Sequence, residues 1–417
     1  MGLVPRLRFP EFREAGVWKV SSLGLLGGFI RGLTYSASDV SDDGLLVLRS
    51  TNIQDGSLIL DKDLVFVSKG CSSELLLRNG DVVICMSNGS KALVGKNGEY
   101  FGNYRRNLTI GAFCSVFRPK LPFAKLIFQT ECYSDFVSLS IGGGNINNLK
   151  NSVLEKFKAI IPQKKEEQEK IAGCISSLNA LIAVQADKLD ALKTHKKGLM
   201  QQLFPREGET VPRLRFPEFS DAEEWETTRL GEIASIRSGS TPPRSDPTFY
   251  SGGNIPWVKT TDLNNGFIYS TEECITSASN PKINPIESVL VAMYGGFKQI
   301  GRTGFLKVPA ATNQALSVLN TKRNKVIPIY LLIWLNANVE QWKRIASSSR
   351  KDPNITGSDV AGFSISFPRV DEQKKIAECL TSLDTLIAEQ ADKLDTLKTH
   401  RKGLMQQLFP NPEAVAA

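Results

Sequence analysis

Two stretches that follow apolar runs, Ser87-Asn88-Gly89-Ser90-Lys91 and Tyr294-Gly295-Gly296-Phe297-Lys298-Gln299, combine amide, hydroxyl and ammonium groups. These are the groups that read nucleic acid: Asn or Gln pairs with adenine and Arg with guanine, while Lys, Ser and Thr hold phosphates. Lys91 and Lys298 stand at equivalent positions, and Tyr104-Arg105-Arg106 and Arg237, Arg244, Lys259 and Arg302 add further donors. Each side chain alone could be a solvated charge or a turn residue. As groups they point to DNA.

Bond-making chemistry is harder to find. Asp246-Pro247-Thr248-Phe249 approximates the acidic-Pro-Pro-aromatic motif of amino-methyltransferases, but no glycine-rich cofactor loop precedes it. Gly142-Gly143-Gly144, with no Gly-x-x-x-x-Gly-Lys-Ser/Thr elsewhere, leaves no phosphate cradle for ATP. Glu372-Gln373-Lys374 carries the carboxylate and lysine of a nuclease site, yet it opens a helix without an acidic partner on a strand. It reads as a solvated helix start. The seven cysteines form no Cys-x-x-Cys pair, and the only two histidines, His195 and His400, sit beside Lys or Arg on helix ends. A disulfide framework or zinc site is not expected, and the histidines read as surface or cap residues.

The chain has 417 residues, 41% hydrophobic and 23% charged, enough for two or three domains with their own cores. Its net charge of +8 favours an anionic partner. The longest apolar stretch, Ile329 to Leu335, is far too short for a membrane span and the N-terminus lacks a signal-peptide core. A cytoplasmic protein is expected.

The elements that must position these groups are duplicated. Val4-Pro5-Arg6-Leu7-Arg8-Phe9-Pro10-Glu11-Phe12 recurs letter for letter as Val211 to Phe219. Trp18 matches Trp225, Leu23-Gly24 matches Leu230-Gly231, and Val82 to Met86 matches Val289 to Met293, an apolar run that reads as a buried strand. Glu167 to Pro205 matches Glu372 to Pro410 with 30 of 39 positions identical. The globular segments, about 20–161 and 227–367, keep only scattered matches. Copies that drift at one surface and agree at another suit a protein whose first surface does two jobs and whose second does one job twice.

The alike segments read as long helices. Ile171, Leu178, Leu192, Leu199 and Ile175, Ile182, Leu189, Leu203 form two seven-spaced rows, repeated by Ile376, Leu383, Leu397, Leu404 and Leu380, Ile387, Leu394, Leu408. Gln185 and Gln390 break one row, Lys196 and Arg401 the other. In an antiparallel pair Gln185 and Gln390 would meet near the centre and set register, or else sit at the seam edge in water. A helix of about 35 residues spans roughly 50 Å, the length of roughly 15 base pairs, which suits a target read in two parts.

Each globular segment mixes short strands with one helix, marked by Pro122 through Phe136 and Pro328 through Trp342, giving a mixed α/β class. The second carries Gly239-Ser240-Thr241-Pro242-Pro243, Tyr250-Ser251-Gly252-Gly253-Asn254-Ile255-Pro256-Trp257-Val258, Thr260-Thr261-Asp262-Leu263 and Asn313-Gln314. The first has weaker counterparts in Gly32-Leu33-Thr34-Tyr35 and Arg49-Ser50-Thr51-Asn52-Ile53. Ile160-Ile161-Pro162 and Phe367-Pro368 lead into Glu167-Gln168 and Glu372-Gln373, and Lys-Gly-Leu-Met-Gln-Gln-Leu-Phe-Pro closes both helices at 197–205 and 402–410.

On these motifs the chain resembles, over nearly its whole length, the specificity subunits of type I restriction-modification enzymes. The resemblance implies target-recognition domains at 1–161 and 206–367, spacer helices at 162–205 and 368–410 in an antiparallel coiled coil, and a tail at 411–417. It also implies a subunit without catalysis that reads a bipartite double-stranded DNA site and docks two methyltransferase subunits and the restriction subunits. S-adenosylmethionine, ATP and Mg would belong to those partners, with no cofactor, metal or membrane for this chain. Thr241, Thr260, Asn313 and Gln314 join the candidate DNA contacts on the same ground. The competing class is a scaffold whose domains bind peptides or proteins around a coiled coil.

Overall fold

The computed structural model describes residues 4–54, 56–141, 148–347 and 354–410. The Gly142-Gly143-Gly144 run and the tail 411–417 lie outside them. By contacts the chain divides into two units, Met1–Ala186 with Asp392–Ala417, and Asp187–Ala391. Each contains one globular domain and one half of each long helix.

In the first unit the apolar run Val82–Cys85 forms a fully buried strand. It lies inside a six-stranded sheet ordered Gly27–Arg31, Cys114–Pro119, Val82–Cys85, Asn97–Glu99, Gly56–Leu58, Ile53–Gln54. A strand without polar alternation must be covered on both faces. Phe117, Phe123 and Phe128 pack on one side, while Leu46, Ile110 and Val116 share a separate apolar cluster with Val83 and Cys85. A four-stranded sheet carries Leu45–Leu48 parallel to Leu108–Ile110.

The second unit repeats this plan. Val289–Ala292 is buried in a five-stranded sheet between Leu316–Thr321 and Thr303–Leu306, and Ile255–Val258 runs parallel to Ala311–Thr312. The two halves share one mixed α/β architecture, as the repeat requires.

The single helix expected in each domain is broken. Pro122–Gln129 is a 3-10 helix, and the α-helix Glu131–Ser140 starts afresh after Thr130. The Thr130 hydroxyl bonds the Ile127 carbonyl at 2.7 Å and accepts the Tyr133 N–H at 3.4 Å, so its side chain replaces the helical backbone bonds. Asn338 separates Pro328–Ala337 from Val339–Ser347, its side-chain amide donating back to the Trp334 carbonyl at 2.9 Å.

The long helices run Lys165–Leu203 and Val370–Leu408. All residues of their seven-spaced apolar rows are buried or half-buried. They run antiparallel: in the first unit Ile171 and Ile175 share a core with Met405 and Leu408, and in the second Ile376 and Leu380 share one with Leu203. The breaks at Lys196 and Arg401 are filled. Lys196 donates to Asp384, while Arg401 donates to Asn179 and Gln129. Asn179 and Asp384 are equivalent, so a Lys–Asp ion pair in one unit replaces an Arg–Asn hydrogen bond in the other. Gln185 is buried, Gln390 half-buried, and His195 and His400 are exposed.

Glu372 and Gln373 are not solvated, contrary to the expectation for Glu372-Gln373-Lys374, of which only Lys374 is exposed, and Glu167 is buried at the equivalent place. Glu167 and Glu372 are each 1% exposed. Arg8 grips Glu167 bidentately at 2.7 and 2.8 Å, and Arg215 grips Glu372 at 2.8 and 2.7 Å. Trp18 also donates to Glu167 at 3.2 Å, and Gln373 bridges the Ile327 N–H and the Lys325 and Pro368 carbonyls. A carboxylate can be buried when a fork of donors replaces its water. The exact nonapeptide repeat supplies that fork. The same peptide straps a helix end in each unit, Leu7 donating to the Gln407 carbonyl at 3.0 Å and Leu214 to that of Gln202 at 2.9 Å.

Candidate nucleic-acid interface

The loop after Val289–Ala292 turns on Gly295 and Gly296, both in the left-handed region with φ of 113° and 81°. It presents Tyr294, Phe297 and Lys298 to solvent and tucks Gln299 beneath. The close approach of Gly295 to Gln299 and Thr260 places this loop beside the 3-10 turn Thr260–Asp262. Lys259 precedes that turn, its N–H bonded to the Asp262 carboxylate at 2.7 Å. The Asn313 N–H donates to the Val258 carbonyl at 3.0 Å, and Gln314 bonds the Thr241 hydroxyl. The structure therefore gathers Thr241, Lys259, Thr260, Tyr294, Lys298, Gln299, Asn313 and Gln314 at one sheet end.

Gly239 makes the gathering possible, because a Cβ there would overlap the Thr312 carbonyl. Gly32 presses on Gly111 in the same manner in the first unit. Buried Asn313 Oδ1, Gln299 Oε1 and Thr312 Oγ1 have no hydrogen-bond partner among the described residues. Each such atom costs about 1–3 kcal/mol unless a donor reaches it.

The cations of this unit are less free than their types suggested. Arg244 lies over the rings of Tyr250 and Trp257 at 4.5 and 5.2 Å and binds Glu273 bidentately at 3.2 and 2.7 Å. That guanidinium holds the Glu273 carboxyl below the usual carboxylate range. Lys259 reaches Glu272 at 3.1 Å and Glu273 at 3.4 Å. Arg237 is turned to the Asn284 side chain and the Ile283 carbonyl, both at 2.9 Å, and Arg302 lies half-buried where the loop rejoins the sheet.

The first unit builds the same site from other side chains. The turn Ser50–Asn52 corresponds to Thr260–Asp262, with the Arg49 N–H bonded to Asn52 Oδ1 at 2.9 Å. Asn88 donates to the Ser50 hydroxyl at 3.3 Å and accepts the Ser90 N–H at 3.0 Å, which brings the loop to that turn. Ser90 and Lys91 are exposed and Ser87 half-buried. Tyr104 packs against the core, Arg105 is exposed, and Arg106 is ion-paired with Asp43.

Glu272, Glu273 and Tyr250 were missed as members of the site, as were Arg49 and Ser50 in the first unit. The alignment of Arg49-Ser50-Thr51-Asn52 with Lys259-Thr260-Thr261-Asp262 was the signal for the last two. Among the described residues, no group of three or more His, Cys, Asp or Glu could hold a metal, and no helix is long and apolar enough to cross a membrane.

Comparison with known proteins agrees with this layout. A family model described as "Type I restriction modification DNA specificity domain" matches residues 17–194 and 222–399. The type I restriction enzyme EcoKI specificity subunit of Escherichia coli K12 is 24% identical over 417 residues, covering 94% of this chain and 88% of that protein. A type I restriction-modification S subunit from M. genitalium shares the fold with a TM-score of 0.64 at 14% identity, covering 98% of this chain and 99% of that one. A chain described under complex assembly and conformational transition of the type I R-M system matches with a TM-score of 0.55 at 16% identity, over 94% and 98% of the two chains.

Proposed function

The chain belongs to the type I restriction-modification DNA specificity family, and from that premise we propose that it reads a bipartite double-stranded DNA target, one half with each unit. Its alike surfaces dock two methyltransferase subunits and recruit restriction subunits. The chemistry lies with those partners, together with S-adenosylmethionine, ATP and Mg, and the complex acts in the cytoplasm.

One observation carries the reading: both units build the same loop-and-turn site at the same sheet end and fill it with different side chains. Lys259-Thr260 in one stands where Arg49-Ser50 stands in the other, and Asn313-Gln314 where the first unit has Gly111-Ala112. Shared backbone with exchanged readers is what two half-targets of different sequence require. Gln314 is exposed and Asn313 half-buried at that sheet end, and Asn or Gln amides pair with adenine.

Co-expression with a methyltransferase partner, followed by genome-wide mapping of methylated adenines, tests this. A split motif is expected. An unsplit motif, or no methylation, overturns it in favour of a scaffold. Exchanging residues 20–161 for those of another family member should change one half of the motif and leave the other intact. Deleting one heptad from both long helices should change the gap between halves.

A further inference from the structure

Phe113 is 71% exposed, while its backbone is anchored in the first unit's site. Its carbonyl accepts the N–H groups of Met86 at 2.8 Å and Ser87 at 3.2 Å, directly beside the loop that carries Asn88 and Lys91. The Cys114 N–H closes the turn on the Gly111 carbonyl at 2.9 Å, and Cys114 pairs with Cys85 in the central sheet. The ring is thus held outward on a rigid support.

The equivalent residue of the second unit is Ala315, whose carbonyl accepts the Met293 N–H at 2.8 Å. There the preceding residues are the amides Asn313 and Gln314. In the first unit they are Gly111 and Ala112, which carry no hydrogen-bonding side chain. Aromatic exposure is exchanged in the opposite sense. Tyr294 and Phe297, 42% and 48% exposed, occupy the places of Ser87 and Ser90. Each unit therefore presents aromatic surface at the same sheet end, but from different loops. A single exposed apolar residue is ordinary on a protein surface. A ring next to the Gly-Ala that replaces an amide pair, pinned to a polar loop, has a use.

We propose that Phe113 contacts bases in the first unit's half of the target, packing its ring against a thymine methyl or an opened base step where the second unit uses amide hydrogen bonds. The proposal rests on the DNA-recognition reading above. Apolar side chains recognise thymine through its methyl group, and rings inserted at base steps gain stacking energy.

The test uses the full chain assembled with its methyltransferase partner, the target found by methylation mapping, and the variants Phe113→Ala, Phe113→Leu and Leu139→Ala. Leu139 is 83% exposed on the helix Glu131–Ser140 and serves as a control for losing surface apolar area. Phe113→Ala should melt with the wild type, bind the target about tenfold more weakly and bind unrelated duplex equally. Leu139→Ala should match the wild type throughout. If replacing one thymine of the first half-target by uracil weakens the wild type equally but does not further weaken Phe113→Ala, the ring packs on that methyl. If no thymine behaves so and Phe113→Leu is as weak as Phe113→Ala, the ring stacks on a base step. Equal target binding by Phe113→Ala and wild type overturns the proposal. A wild-type complex with no target preference overturns the DNA-recognition reading itself, which distinguishes the two failures.

Discussion

Arg8 grips Glu167 in the first unit as Arg215 grips Glu372 in the second, with both forks between 2.7 and 2.8 Å. In the loops of the central sheets nothing is repeated so closely: Gly111-Ala112-Phe113 in the first unit stands where Asn313-Gln314-Ala315 stands in the second. The contrast separates two kinds of constraint. A buried ion pair tolerates little change, because removing either partner leaves a charge without water or counter-charge. A solvent-facing turn tolerates any side chain its backbone can carry, so the two copies were free to diverge there.

Breaking the alike part should have the largest effect. Arg8→Ala or Arg215→Ala is expected to destabilise its own unit by about 3–5 kcal/mol, measured by chemical denaturation. Comparable losses in both units are expected. A marginal loss in either would show that the repeated fork is not an equal support.

A smaller difference should separate the two sheet cores. Burial pushes the Cys114 thiol up to about 12. Its counterpart in the second unit is Leu316. Above the ordinary thiol pKa of about 8.5 the unfolded chain loses this proton while the folded one keeps it. Stability of the first unit should therefore be fully present at neutral pH and fall as pH rises towards 12, by at most about 1.4 kcal/mol per pH unit from this group. Cys114→Leu, measured by denaturation between pH 8 and 10 (about one unit either side of 9), should flatten that slope. An unchanged slope would assign it to other groups.

The smallest effect concerns the readers. Glu273→Gln should release Arg244 and Lys259 from their shared carboxylate, raising binding to unrelated duplex a few-fold at low salt and steepening its salt dependence by about one unit of slope. Titrations at several salt concentrations check this. An unchanged slope would mean that neither cation faces phosphate.

Much of the architecture was legible because it is written in local spacing. The repeat shows as copied letters, the buried strands Val82–Cys85 and Val289–Ala292 as unbroken apolar runs, and the rows of both long helices as a seven-residue period. The breaks at Thr130 and Asn338 were missed, since a polar side chain that bonds its own backbone leaves no mark on apolar periodicity. The candidate readers of the second unit were legible as a set of motifs, and the structure gathers most of them. The neutralising role of Glu273 and the place of Phe113 were not legible, because both depend on which loops meet.

By itself the sequence determined that the chain is two copies of one mixed α/β domain, each leading into a long amphipathic helix, with alike helices and unlike domains. Those features follow from copied letters and from apolar spacing within each helix and strand, which need no knowledge of which segments meet. Only the tertiary structure decided that Glu167 and Glu372 are buried, that Arg244 and Lys259 are held by a carboxylate, and that Phe113 faces outward beside Asn88. The reason is distance along the chain. Arg8 and Glu167 are 159 residues apart, and whether a charge meets water or a guanidinium is settled when such segments pack together.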